Sequence, residues 1–198
     1  MENKLSRRIS TRDLVLIGLF SAIILIQTYT PLGYITIGDV AVTLIHITVI
    51  IAACILGTRL GTLIGLVWGI TSFIFALQTP GLLNPLFYNP LISIVPRALV
   101  GFLAGLIFNL LVTKCKTPLS AGFAAVVGTL TNTILVLGGF YVFGYQLIFG
   151  ANPVAASGGV DPVLAFIFFI AGRNGLLELA AAVIVVPLVV IPLKKLLK

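Results

Sequence analysis

Negative charge is nearly absent from this chain. Five Asp and Glu residues are spread over 198 positions against twelve Lys and Arg, and charged residues of both signs make up 9%. A soluble domain carries roughly 25%. With 60% hydrophobic residues and a mean hydropathy of +1.23, the composition excludes a water-soluble fold and points to a polytopic membrane protein. Histidine occurs once, as His46, so no HExxH pair can form and no metal or other cofactor is expected. A Walker phosphate loop is missing, so ATP hydrolysis has to come from elsewhere; a nucleophile elbow is missing too, which removes the usual hydrolase chemistry. No half of the chain repeats the other, unlike many secondary transporters. The two cysteines, Cys54 and Cys115, have no paired metal or redox spacing and read as free thiols.

What the chain does have is long apolar runs separated by turn-rich connections. A membrane-crossing helix takes about 20 residues, and the runs predict six spans, at about 13–28, 40–56, 60–77, 91–112, 119–143 and 162–193. The expected fold is an all-α, six-transmembrane-helix bundle in one domain. No small-residue cleavage site follows the first run, so it reads as a retained helix rather than a signal peptide. The connections near 30–38, 78–90 and 144–160 hold no Lys or Arg. Lys4, Arg7, Arg8 and Arg12 precede the first span, Arg59 follows the second, Lys114 and Lys116 follow the fourth, and Lys194, Lys195 and Lys198 close the chain. By the positive-inside rule both termini are cytoplasmic. The net charge of +7 therefore marks membrane orientation and implies no nucleic-acid partner.

Two basic residues break that pattern, Arg97 and Arg173, each inside an expected span. Counting about 1.5 Å per residue puts Arg97 roughly 9–10 Å below the outer end of its helix. His46 lies at similar depth, with Asn132 and Asn174 nearer the middle. A charged group at such depth faces a protein interior or a watery cavity rather than lipid. The convergence predicts an outward-facing site for a small polar ligand, and an arginine fork suits a carboxylate or phosphate. Tyr88 and Asn89, in the connection above the fourth span, are candidates for a lid over it. The alternative is structural, with Glu178 neutralising Arg173 and the asparagines bridging helices. An intramembrane enzyme using His46 and Glu178 is a weaker reading, because the expected depths of the two residues differ by about three turns. A scaffold subunit is a third.

Small residues form a second pattern. Gly57, Gly61, Gly65 and Gly69 give the third span one smooth face, and Gly101 with Gly105 do so in the fourth. Such faces let helices approach closely in lipid. Gly18 and Ala22 in the first span make a similar strip, which is free to dock another membrane subunit.

In order and spacing, Gly18 and Ala22, Leu56-Gly-Thr-Arg-Leu-Gly61, Val95-Pro-Arg-Ala-Leu-Val-Gly101 and Thr129-Leu-Thr-Asn-Thr133 resemble the substrate-binding S component of energy-coupling factor (ECF) vitamin transporters. The resemblance covers nearly the whole chain. Ile45-His-Ile-Thr-Val-Ile-Ile51 and Val95-Pro-Arg97 are most similar to the pantothenate-type members, with members for pyridoxine or hydroxymethylpyrimidine as alternatives. The resemblance implies a plasma-membrane subunit that captures a vitamin, catalyses nothing, and works with a transmembrane T component and two cytoplasmic ATPases. It implies Arg97, Asn132, His46, Tyr88, Asn89 and Asn174 for the ligand, and Gly18 with Ala22 for docking. Gly18 departs from the family's usual alanine at that place but still permits close approach.

Overall fold

Helix α1 (Thr11–Tyr29) begins where two side chains satisfy each other's backbone. Ser10 Oγ accepts from the Asp13 amide and Asp13 accepts from the Ser10 amide, each at 3.1 Å. This capping box supplies acceptors to amides that the first helical turn leaves without them, and Asp13 also suits the positive helix end. A computed structural model describes residues 10–37, 40–79, 84–149 and 174–196, with backbone alone at 34–42 and 144–149.

After α1 come a short 3-10 turn (Pro31–Gly33), strands β1 (Tyr34–Ile37) and β2 (Val40–Thr43), and helices α2 (Ile45–Leu56) and α3 (Thr58–Gln78). A 3-10 helix (Asn84–Tyr88) leads to the short α4 (Pro90–Ser93), then α5 (Val95–Leu111), α6 (Thr117–Phe149) and α7 (Leu176–Leu196). Five segments are long and apolar enough to cross a bilayer: Thr11–Tyr29, Thr58–Gln78, Pro90–Leu111, Thr117–Phe143 and Leu176–Leu196. The chain is a helical, multi-pass membrane protein.

The expected second span, 40–56, is only partly a helix. Its first four residues are β2, paired antiparallel with β1 in the register Tyr34↔Thr43 to Ile37↔Val40. The sequence reading took this stretch as loop and helix, and an all-helical fold has to be amended by one hairpin. The β-branched alternation of Val40-Ala-Val-Thr43 favours a strand. The remaining α2 has twelve residues, about 18 Å of helix, short of the membrane core. Burial makes the short helix workable. Ten of its residues, Ile45 to Cys54, are buried, and it touches α1, α3, α5, α6 and α7. Non-helical backbone is tolerated at membrane depth where protein surrounds it.

The glycine ladder does what its spacing predicts. Helices α3 and α5 make the most extensive pairing in the bundle. A Cβ on Gly61 would lie 2.6 Å from that of Ala53, one on Gly69 2.7 Å from Ile94 Cα, and one on Gly105 2.8 Å from Thr58 Cα. Gly57 turns the chain between α2 and α3 at φ +86°, a conformation L side chains avoid. At this end Asn109 bonds Thr58 at 3.2 Å and Lys194 lies 4.3 Å from the centre of the Phe108 ring. The α2–α3 turn and the ends of α5 and α7 thus share one end of the bundle. Both cysteines are free, Cys54 in the core and Cys115 half-buried.

One boundary moved. Residues 144–149, read as the start of a Gly-rich loop, continue α6; a lone glycine in a helix costs only about 1 kcal/mol, and the residues after Gly144 are helix-tolerant. The last described helix begins at Leu176 and runs through Pro187 and Pro192. The expected start of that span near 162, the loop 150–159 and Arg173 lie outside the described residues.

Candidate functional site

Pro96 sets the local geometry of the site. In an unbroken helix the carbonyl of Ile92 accepts from the amide of residue 96, and proline has none. The helix breaks there into α4 and α5. Arg97 folds back and donates from Nη1 to the Ile92 carbonyl. Its guanidinium lies 5.1 Å from the ring centres of both Trp68 and Phe87, a cation–π arrangement that holds it toward the end of the bundle opposite the α2–α3 turn. At 7% exposure Arg97 is buried, yet it lies in a protein interior rather than against lipid.

Below it is a group of buried polar atoms on α2 and α6. The two helices approach closely where a Cβ on Gly128 would sit 2.7 Å from the Ile50 side chain. One turn further from the α2–α3 turn on each helix, His46 and Asn132 come to facing positions. His46 is completely buried. Neither of its ring nitrogens has a hydrogen-bond partner among the described residues, nor do Thr129 Oγ1 and Asn132 Oδ1. The Thr43 backbone lies near the His46 ring without forming a hydrogen bond. Leaving a buried polar group unsatisfied costs about 1–3 kcal/mol, so a cluster of them in one layer points to a place where a polar molecule binds.

Glu178 joins this layer from α7. Its Oε1 accepts from the Thr43 amide at 2.8 Å, tying α7 to the end of the hairpin, and its charge interacts with that of Arg97. This corrects the depth estimate made from the sequence. Glu178 reaches Thr43, three residues before His46 in the chain, rather than lying about three turns from it in depth. Asn174 lies just before Gly175, whose Cβ position is 3.5 Å from the Thr133 methyl, so it is level with Asn132.

The cationic and amide parts of the site are separated along the bundle. A Cβ on Gly139 would lie 2.8 Å from Ile92, the residue that Arg97 reaches, and Gly139 is seven residues further along α6 than Asn132, or roughly 10 Å. The structure thus places Arg97 above His46, Asn132, Thr129 and Asn174. It does not place Tyr88 and Asn89 with them. The 3-10 turn points Leu86 and Phe87 inward and leaves Tyr88 44% exposed. Asn89 caps α4, its Oδ1 accepting from the Leu91 amide at 3.0 Å. Phe87 is the aromatic that enters, edge-on to Phe140 at 5.4 Å. Sequence reasoning missed Phe87, Trp68, Thr129 and the Glu178–Thr43 bond. Two of these carried a signal: Thr129 within the Thr129–Thr133 motif, and Trp68 as the single tryptophan in the chain on the glycine-lined helix.

Gly18 and Ala22 are exposed, and nothing lies within 4 Å of a Cβ on Gly18. Among the described residues no group of three or more His, Cys, Asp or Glu could hold a metal ion.

Comparison with known proteins bears on the whole chain. The family model described as "ECF transporter, substrate-specific component" matches residues 12–190. The pantothenate transporter PanT of Leuconostoc mesenteroides is 40% identical across 64% of this chain and 67% of its own length. The pantothenic acid transporter PanT of Lactococcus lactis subsp. cremoris is 35% identical across 66% of this chain and 73% of its own.

Proposed function

Because the chain belongs to the substrate-specific component family of ECF transporters, and is a transporter component rather than an enzyme, we propose that it captures pantothenate from outside the cell. Two relatives named for pantothenate transport support the ligand. The observation that carries the site is the layered arrangement of a buried arginine above orphaned polar atoms. Pantothenate is extended and singly anionic, with a carboxylate at one end and an amide and hydroxyls beyond it. Arg97 takes the carboxylate through charge-assisted hydrogen bonds. Asn132, His46, Thr129 and Asn174 take the amide and hydroxyl region, and Trp68 and Phe87 flank the anionic end. Tyr88 and Asn89 belong to the rim of the site, with Asn89 holding the α4 cap. His46 serves binding and Glu178, through Thr43, hairpin placement.

The same reading gives six membrane crossings, with the buried α2 completing the five longer segments. The ends carrying Arg59, Lys114, Lys116, Lys194 and Lys195 face the cytoplasm of the plasma membrane, following the positive-inside rule. Gly18 and Ala22 dock a transmembrane T component, and two cytoplasmic ATPases supply the energy this chain cannot. Calorimetry on the purified protein with pantothenate, pyridoxine and hydroxymethylpyrimidine tests the assignment. Binding of pantothenate alone is the expected result; binding of only a neutral vitamin overturns both the ligand and the role of Arg97.

A further inference from the structure

A second feature lies at the opposite end of the bundle from Arg97. Between α6 and α7 the outer surface carries an open groove of about 550 Å³, lined among others by Lys116, Leu119, Gly122, Phe123, Val183 and Pro187. Lys116 is the one charged residue in its lining. The groove exists because Gly122 contributes no side chain to the α6 surface. Nothing lies within 4 Å of where its Cβ would be, while Leu119 and Phe123 stand up on either side, 54% and 49% exposed.

Its dimensions say what fits. Lys116 immediately precedes α6, where the chain meets the membrane surface, and the deepest α6 residue in the lining is Val126. Ten residues of helix span about 15 Å, half of a hydrocarbon core roughly 30 Å thick. The groove therefore begins at the surface and stops near the midplane, the depth of one leaflet. A helix of a partner subunit would cross both leaflets; a lipid chain crosses one. The exposed lysines Lys114 and Lys195 add positive charge at the same end.

We propose that this groove binds one anionic phospholipid, with an acyl chain laid along Gly122 and the headgroup phosphate paired with Lys116. Basic residues beside a gap between membrane helices attract such headgroups, at about 1 kcal/mol per lysine near the surface. The site is separate from the vitamin site and does not depend on which vitamin is carried.

Native mass spectrometry of the full chain, with phosphatidylglycerol and phosphatidylcholine of identical acyl chains, tests it. Phosphatidylglycerol adducts should persist to higher activation energy. Lys116→Ala should weaken phosphatidylglycerol retention by roughly fivefold, the equivalent of that 1 kcal/mol, and leave phosphatidylcholine unchanged. Gly122→Leu, whose Cβ has open space around it and whose side chain would occupy the groove, should weaken both. Calorimetry with pantothenate on the same variants, unchanged from the parent, verifies their fold. Equal retention of the two lipids, or phosphatidylglycerol retention unaffected by Gly122→Leu, overturns the proposal. So does a dimer of the chain that excludes lipid from the groove and is lost in Gly122→Leu.

Discussion

Arg97 donates to the carbonyl of Ile92, the acceptor that Pro96 deprives of its helical donor. The Pro-Arg pair is thus a unit: proline opens the helix, and the arginine occupies the carbonyl so released. The side chain is turned back along its helix and lies against both Trp68 and Phe87. An arginine already placed loses less entropy when it meets an anion.

That relationship separates the structural and functional roles of Arg97. Arg97→Ala should weaken pantothenate binding by about 2–5 kcal/mol and also lower stability by about 1–3 kcal/mol, because the Ile92 carbonyl is orphaned. Pro96→Ala in the same chain restores the missing amide. The double variant should regain thermal stability and still fail to bind in calorimetry. Unchanged affinity in Arg97→Ala would show that the anion goes elsewhere.

Asn132 should behave in the opposite way. Its Oδ1 is buried without a partner among the described residues, so Asn132→Leu removes a cost as well as a ligand contact. Replacing such a group by an apolar one of similar size is close to neutral or stabilising. Thermal unfolding should show a melting temperature equal to or above the parent's. Pantothenate affinity should drop about tenfold, or roughly 1.4 kcal/mol.

Glu178 holds the hairpin. Its carboxylate accepts from the Thr43 amide at 2.8 Å, and glutamine retains an oxygen that can do the same. Hydrogen exchange at the Thr43 amide should stay slow in Glu178→Gln and become faster in Glu178→Leu. Equal protection in both would mean that strand pairing and α2, rather than α7, fix this end of the hairpin.

The two glycine strips should separate cleanly. Gly61 meets Ala53 and Gly101 at close range, so Gly61→Leu overpacks the α2–α3–α5 contact and should cost at least about 1–3 kcal/mol. Gly18 faces open space. Gly18→Leu and Ala22→Leu should leave melting temperature and pantothenate binding intact while abolishing uptake in vesicles reconstituted with the energising subunits. Retained uptake would place the docking surface on another helix.

The sequence by itself determined the class, most of the helices and the small-residue faces of α3 and α5; that these two faces meet is a tertiary fact. The class, the helices and the faces follow from local or periodic properties: apolar run length, glycine every fourth residue, and basic residues in alternate connections. It also singled out Arg97, because an arginine inside an apolar run is visible without coordinates. Only the tertiary structure decided that Val40–Thr43 is strand, since a β-branched apolar stretch satisfies either period and burial by five neighbouring helices removes the need for a full-length span. Tertiary structure likewise chose Phe87 over Tyr88 and brought Glu178 to Thr43, 135 positions away in sequence. Such pairings depend on where helices begin and which way a short turn faces, and no residue pattern along one segment encodes the position of another.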